Sequence, residues 1–341
     1  MMFKHYLTEQ VKLHPSAEPR DIIKLCFQAA FGAEHLLGDI PRVRDYFNEE
    51  FQNVRERDGL LFEPIADDVC RVNLAVWKKQ QLPDEWLFNL FVLSASFKRE
   101  KGEEFFWEYM AQAEEMGLLH SADGSPLEEY KKGGLKPVHH SDVYRANESP
   151  SYRVVSGWYV RLLPIFHYLG GCGDCNIIAI DGRAGSGKST LAAHLADVTG
   201  AGVVHMDDFF LPKELRTKER LAVPGGNFHY ERFSAEVLPF LRDSDAFSYG
   251  VFDCGLMELN GTRTVASSHL RIVEGAYCCH PLLSGFADMR VFSDISQEEQ
   301  RRRIEARNGK EAAMNYVSKW IPMEETYLRV HGIKEQAHVV V

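Results

Sequence analysis

The sequence predicts an α/β domain, in which helices cover both faces of a parallel β-sheet, preceded by a mainly α-helical domain. Two observations predict this fold class. A glycine-rich loop joins an apolar strand to a helix within 177–196, and apolar segments then alternate with helical ones to residue 341. The first half shows mainly helical patterns instead. A length of 341 residues favours two domains, which we place at 1–170 and 171–341.

The composition is typical of a globular chain. Apolar residues make up 45% of the sequence, and no apolar run approaches the length of a membrane span. Residues 1–6 lack the pattern of a signal peptide. The seven cysteines are sparse and odd in number, as expected for free thiols in a reducing compartment. We therefore expect a cytoplasmic protein that does not bind a membrane.

The formal net charge of -10 argues against a nucleic-acid partner, because it implies no broad basic surface. It does not argue against ATP, whose phosphates are held by local amides, a lysine and a metal ion. The sequence leaves the oligomeric state open, with a homo-oligomer among the alternatives.

In the first half, Asp21 is predicted to cap a helix that carries several apolar residues. Two alternatives stay open for Val69–Leu74, a short strand or a helical turn. The polar segment 139–145, with 149–153, is interpreted as a loop whose histidines and arginine fix the contact between the domains, because no metal-ligand spacing is met. The alternatives are a second ligand site or a position that faces the cleft of the second domain. Further helices are predicted at 42–51, 85–97, 103–116 and 154–167.

In the second half, the predicted strands are short apolar runs that would lie in one parallel sheet. They are 176–180, 202–206, 247–252, 270–273, 289–292 and 338–341. The predicted helices between them are 191–196, 231–241, 297–307 and 310–320.

The segment from Gly182 to Ser189 fits the pattern G-x-x-x-x-G-K-[ST] between a strand and a helix. Glycines let the backbone amides point at phosphate oxygens, and the helix N-terminus adds positive charge. Lys188 can reach the β- and γ-phosphates, and the Ser189 hydroxyl can bind Mg²⁺. The segment therefore predicts a nucleotide-phosphate site made of Gly182, Ala184, Gly185, Ser186, Gly187, Lys188, Ser189 and Thr190.

Polar residues follow the predicted strands, at the sheet edge where ligands collect. Asp207 and Asp208 follow the second strand, and Glu274 ends another. A carboxylate there can accept a hydroxyl proton or bind Mg²⁺. Phosphoryl transfer also needs positively charged side chains over the γ-phosphate, and these often lie on a mobile lid. Candidates for that clamp are Arg301, Arg302, Arg303 and Arg307.

These segments occur in the order found in the uridine kinase family, which residues 175–341 resemble. That family belongs with phosphoribulokinase and pantothenate kinase among small-molecule P-loop kinases. The resemblance implies a P-loop NTPase fold and an ATP- and Mg²⁺-dependent kinase that acts on a hydroxyl of a small metabolite. The segments are the phosphate loop, Met206–Pro212, Gly225–Phe228, Tyr230–Phe233, Val273–Gly275 and the helix with Arg302 and Arg303.

The resemblance also implies residue roles. Asp207 matches the catalytic carboxylate, helped by Lys188 and by the lid arginines Arg302 and Arg303. Ser189 and Glu274, with Asp207, match the metal side of the site. Residues at or beside substrate positions are Phe210, His229, Arg232, Tyr249 and Asp253.

Two departures from the family argue against uridine as the acceptor. His229 stands where uridine kinases carry an aspartate for the ribose hydroxyls, and Cys254 stands where they carry a histidine for uracil. Losing two hydrogen-bonding groups removes much of the discrimination that such a site uses. Residues 1–170 have no counterpart in uridine kinases proper and resemble an extra domain of bacterial uridine-kinase-like proteins.

An alternative function is a nucleotide-gated regulatory ATPase, in which ATP binding controls the partner contacts of the first domain. The unexplained first half motivates this hypothesis. A GTPase is not expected, because the sequence contains no Asn-Lys-x-Asp motif for guanine.

Overall fold

The computed structural model describes residues 3–34, 38–96, 99–120, 126–283 and 285–341. The chain divides into two compact units, Met1–Leu163 and Pro164–Val341. Among the helices of the described ranges, none combines the length and the apolar character that a membrane crossing requires.

The first unit combines helices with a three-stranded antiparallel sheet in the order β1-β2-β3. Its strands are β1 (Phe62–Ala66), β2 (Val69–Asn73) and β3 (Tyr152–Ser156). Its helices are α1 (Lys4–Leu13), α2 (Pro19–Phe31), α3 (Ile40–Asn53), α4 (Leu74–Lys79), α5 (Asp84–Ala95), α6 (Gly102–Glu115), α7 (Pro126–Gly133) and α8 (Asp142–Glu148).

The helices predicted at 42–51, 85–97 and 103–116 are confirmed as α3, α5 and α6, although Phe97 lies outside the described residues. The segment left open between strand and helix is β2, whose five residues are all buried.

Three predictions about the first unit are wrong in whole or in part. The segment 139–145, predicted to be a loop, is one only as far as Ser141, because the Ser141 side chain caps a helix (α8) that begins at Asp142. The helix predicted at 154–167 begins three residues later, as a 3-10 helix (Gly157–Leu162) that continues into the α-helix Leu163–Cys172, because Val154 and Val155 pair with β2 as part of β3. Asp21 does not cap α2. Glu18 occupies the cap position, and Asp21 lies three residues later in a reciprocal capping box with it.

The second unit begins with α9 (Leu163–Cys172) and contains a parallel sheet, a hairpin and further helices. Its strands are β4 (Ile177–Gly182), β5 (Gly202–His205), β6 (Phe247–Asp253), β7 (Glu258–Val265), β8 (Arg271–Glu274), β9 (Met289–Ser293) and β10 (Val339–Val340). Its remaining helices are α10 (Lys188–Thr199), α11 (Lys218–Ala222), α12 (Tyr230–Glu236), α13 (Gln297–Asn308), α14 (Lys310–Asn315) and α15 (Ile321–Val330), with a π-helical turn (Tyr316–Trp320) before α15.

The parallel sheet has the order β10-β9-β4-β8-β5. All six residues of the central strand β4 are buried, since β8 and β9 flank it on either side. This parallel sheet with flanking helices, and with a glycine-rich loop after β4, is the P-loop NTPase α/β fold that the sequence predicts. The phosphate loop and the ends of β5 and β8 therefore lie at one edge of the sheet.

One strand that the sequence predicts for the parallel sheet does not belong to that sheet. Residues 247–252 form β6, which pairs antiparallel with β7 in a separate hairpin. The sequence analysis missed β7 because seven of its eight residues are exposed, so no apolar alternation marks it.

Candidate active site

The phosphate loop needs glycine at two positions for different reasons. Gly182 has φ +142°, and a Cβ there would lie 2.1 Å from the carbonyl oxygen of Ser293 on the neighbouring strand. Gly187 has φ +94° and caps α10, a conformation that side chains with a Cβ rarely adopt. The loop can therefore pass close to β9 and then turn its amides toward the N-terminus of α10.

Lys188 begins α10 and folds back over the loop. Its Nζ donates hydrogen bonds to the carbonyl oxygens of Gly182 (2.7 Å) and Arg183 (2.9 Å). Lys188 and Ser189 both line a cleft of about 630 Å³. Of the other predicted phosphate-binding residues, Ala184, Gly185, Gly187 and Thr190 line the cleft, whereas Gly182 and Ser186 do not.

Glu274, at the end of β8, connects the phosphate loop to β5. One carboxylate oxygen accepts the Ser189 hydroxyl at 3.1 Å, and the other lies 2.5 Å from Nδ1 of His205. Glu274 is buried and lines the same cleft. Two hard oxygen donors thus lie side by side, and this donor chemistry suits Mg²⁺.

Asp207 lies in the turn Met206–Phe209 that follows β5. It lines the same cleft as the residues of the phosphate loop. Its side chain is exposed to the solvent of the cleft, and the walls of the cleft desolvate the carboxylate in part. This partial desolvation, reinforced by the negative charge of Glu274, raises the pKa of Asp207, and the charge of Lys188 opposes the increase. A carboxylate with a raised pKa is a better proton acceptor than an ordinary surface aspartate.

The two predicted lid arginines have different surroundings. Arg303 lines the cleft, where Nη1 donates to the carbonyl oxygen of Gly185 at 3.3 Å and Nε donates to Glu299 at 2.7 Å. Arg302 is not among the cleft residues. Its side chain is 70% exposed and pairs with Glu299 on the outer face of α13. Arg307, one turn further along, also lines the cleft.

Of the predicted substrate residues, Phe210 lines the cleft and Tyr249 does not. Tyr249 is buried, and its hydroxyl donates to Asp208 Oδ2 (3.0 Å) and accepts the backbone N–H of His205 (3.0 Å). Asp208 also pairs with Arg263. The second aspartate of the pair is therefore part of a buried network that fixes the turn, and only Asp207 faces the cleft.

The other predicted substrate residues stabilise local structure and are absent from the cleft lining. His229 caps α12 and lies 3.1 Å from Glu231. Arg232 donates to Glu236 at 2.7 Å and to the carbonyl oxygen of Gly250 at 2.6 Å. Asp253 accepts the N–H groups of Gly255 and Leu256 at the hairpin tip.

Sequence reasoning missed several cleft residues. They are Arg216, Asn227 and Tyr277, together with Trp320 at the end of the π-helical turn and Glu324 in α15. Asn227 lies in a segment that the sequence analysis singled out, so its motif could have indicated it. Glu324 lies in an ordinary helix about 140 residues after the loop, and no local pattern marks it.

No family model matches this chain. Similar solved structures include a possible uridine kinase from Bacillus stearothermophilus, with 21% identity, a TM-score of 0.38, and coverage of 49% of this chain and 88% of that chain. A protein proposed to be a fructose transport system kinase from Silicibacter sp. TM1040 gives 22% identity, a TM-score of 0.39, and coverage of 49% and 89%. TT1252 from Thermus thermophilus gives 25% identity, a TM-score of 0.27, and coverage of 49% and 87%.

Proposed function

We propose that this protein is a phosphotransferase that moves the γ-phosphate of ATP to a hydroxyl of a small metabolite, in the manner of a uridine kinase-like enzyme. The observation that carries the proposal is the position of Asp207. Its carboxylate lines the same cleft as Lys188 and Ser189 of the phosphate loop. A proton acceptor is thus available beside a site suited to a triphosphate.

The phosphate loop would hold the nucleotide. Its amides and the N-terminus of α10 attract phosphate oxygens, and Lys188 supplies a mobile positive charge for the β- and γ-phosphates. Ser189 and Glu274 would hold Mg²⁺, with Asp207 on the same side. The bound ion would neutralise charge on the transferred group.

Asp207 would act as the base. The acceptor hydroxyl oxygen forms a bond to the γ-phosphorus while the bond from that phosphorus to the β–γ bridging oxygen breaks, and ADP leaves. The hydroxyl proton passes to the Asp207 carboxylate. Positioning and charge stabilisation supply most of the rate in such transfers, so the arrangement of these residues is decisive.

Arg303 would stabilise the transferred group. It reaches the loop carbonyl of Gly185 and extends along the cleft from α13. A guanidinium in this position can contact the equatorial oxygens of the γ-phosphoryl group as negative charge spreads over them.

Uridine is not the proposed acceptor. His229 and Cys254 replace the hydrogen-bonding residues that the family uses for ribose and uracil. His229 caps α12, and Cys254 offers only a weakly polar thiol to the cleft.

The test is a search for a phosphorylated product. The purified protein is incubated with ATP, Mg²⁺ and a mixture of small metabolites, and mass spectrometry compares the mixture before and after. A product heavier by one phosphate supports the kinase. ADP and free phosphate alone, with no phosphorylated metabolite, would favour the regulatory ATPase instead.

A further inference from the structure

Arg216 presents an unpaired cation to the cleft. It follows the turn Lys213–Leu215, and its Nε donates to the carbonyl oxygen of Leu211 at 2.8 Å. Among the residues that the structure describes, no carboxylate forms an ion pair with Arg216, and its two Nη groups have no hydrogen-bond acceptor. The planar fork of a guanidinium then remains available for a carboxylate or a phosphate group.

The same part of the cleft contains the proposed base. Cys254 lines the cleft at the hairpin tip and lies within electrostatic reach of both Arg216 and Asp207. Burial raises the pKa of the Cys254 thiol, the charge of Arg216 opposes this increase, and the charge of Asp207 reinforces it. Arg216, Cys254 and Asp207 thus line one cleft, in which an acceptor would place its hydroxyl beside Asp207.

Asn227 adds a hydrogen-bond acceptor in this region. It lines the cleft and is only 4% exposed. Its side chain is hydrogen-bonded to Tyr277, whereas no donor in the described part of the chain reaches its Oδ1. A buried carbonyl oxygen without a donor is unfavourable, so a small rotation of the Asn227 side chain that brings Oδ1 to the cleft surface would be favoured when a ligand offers an O–H or N–H group.

We propose that the phosphate acceptor is an anionic hydroxyl compound, whose carboxylate or phosphate group is bound by Arg216 and whose O–H or N–H group donates to Asn227. This inference rests on the proposed function and specifies its substrate class. Arg216 would hold the anionic end of the acceptor, so that the reacting hydroxyl at the other end meets Asp207. Neutral nucleosides and sugars would lack the group that Arg216 binds.

The first experiment separates acceptors by charge. A small-molecule extract is divided by anion exchange into neutral and anionic pools, and each pool is incubated with the protein, ATP and Mg²⁺. We expect the phosphorylated product in the anionic pool. Prior treatment of that pool with phosphatase abolishes the product if the anionic group is a phosphate and leaves it if the group is a carboxylate. A product only from the neutral pool would overturn the inference.

With the acceptor found in this way, Arg216→Gln should lower kcat/KM for the acceptor by about 10²-fold or more and leave the KM for ATP unchanged. Arg216→Lys should lower kcat/KM less than Arg216→Gln does, because lysine keeps the positive charge but cannot form the two parallel hydrogen bonds of a guanidinium. Lys213→Gln is the matched control, since Lys213 is an exposed cation in the same segment and is outside the cleft lining. Asn227→Ala should raise the KM for the acceptor alone. An Arg216→Gln variant with unchanged kcat/KM would contradict the inference.

A second experiment does not require turnover. With ADP and Mg²⁺ saturating the phosphate loop, Cys254 is alkylated by anionic iodoacetate or by neutral iodoacetamide, and peptide mass spectrometry gives both rates. The ratio of the two rates measures the attraction of an anion at this site and is independent of the thiolate fraction. We expect the ratio to fall at least threefold in Arg216→Gln and to stay unchanged in Lys213→Gln. An unchanged ratio in Arg216→Gln refutes the anion site, whereas the absence of any phosphorylated product refutes the proposed function.

Discussion

Both carboxylate oxygens of Glu324, on α15, lie 2.9 Å from the backbone nitrogen of Ala184 in the phosphate loop. The next residue, Glu325, pairs with Arg183, and the Tyr327 hydroxyl donates to Asp181 at 2.7 Å. Two side chains of one helix thus bind the loop on which nucleotide binding would depend, and a third binds the strand that leads into it. The conformation of the loop is therefore coupled to α15.

Glu324→Gln should change the pH dependence of stability. Burial raises the pKa of Glu324 from its ordinary value of 4.5 to about 7, against the opposing effects of Lys188 and of the Ala184 hydrogen bond. The folded state binds this proton more tightly than the unfolded state does, so its contribution is fully present below pH 4.5 and is lost as the pH rises through 7. The loss is on the order of 3 kcal/mol.

The measurement is urea denaturation at pH 5, 7 and 8.5. The wild type should lose more unfolding free energy across this range than Glu324→Gln, because the amide does not ionise. Glu335→Gln, at an exposed position, should follow the wild type. Parallel curves for the wild type and Glu324→Gln would show that Glu324 ionises normally.

Asp207→Asn should remove phosphoryl transfer and leave nucleotide binding intact. The amide keeps the shape of the side chain but cannot accept the hydroxyl proton, so we expect a loss of about 10²- to 10⁴-fold in kcat. Product formation by mass spectrometry gives the rate, and calorimetry with ADP and Mg²⁺ gives the affinity. Transfer by Asp207→Asn at the wild-type rate would show that Asp207 is not the base.

The parts of the site that could be predicted from the sequence are those with a local pattern. The phosphate loop combines strand, glycines, Lys188 and helix within about 20 residues, and Asp207 and Glu274 directly follow apolar runs. A parallel sheet brings such strand ends together, so position in the sequence translates directly into position in the cleft.

The parts that could not be predicted depend on tertiary packing. Arg216 lies in a loop, and nothing in its neighbours indicates whether it faces the cleft or solvent. Arg302 and Arg303 are adjacent in one helix, and only the orientation of α13 determines which of them lines the cleft. Residues 154–156 would suit a helix or a strand, and their pairing with β2 decides the outcome.

The arginine pair on α13 provides a test with an internal control. Under the proposed function, Arg303→Gln should lower kcat about 10²- to 10³-fold, because it removes a charge that would face the transferred phosphoryl group. Arg302→Gln should change kcat by less than about threefold, since an exposed ion pair contributes little. Steady-state kinetics with the acceptor measures both. Equal losses in the two variants would place the clamp elsewhere on α13.

The close approach of the phosphate loop to β9 makes a stability prediction that is independent of activity. Gly182 and Gly309 both have positive φ, +142° and +80°, but only at Gly182 would a Cβ meet backbone, 2.1 Å from the Ser293 carbonyl oxygen. Gly309→Ala should therefore cost only the backbone strain, about 1–3 kcal/mol. Gly182→Ala also carries strain from its positive φ and must in addition push two adjacent buried strands apart, so its cost should be clearly larger. Urea denaturation measures both variants, and equal losses would mean that the β4–β9 contact can relax without cost.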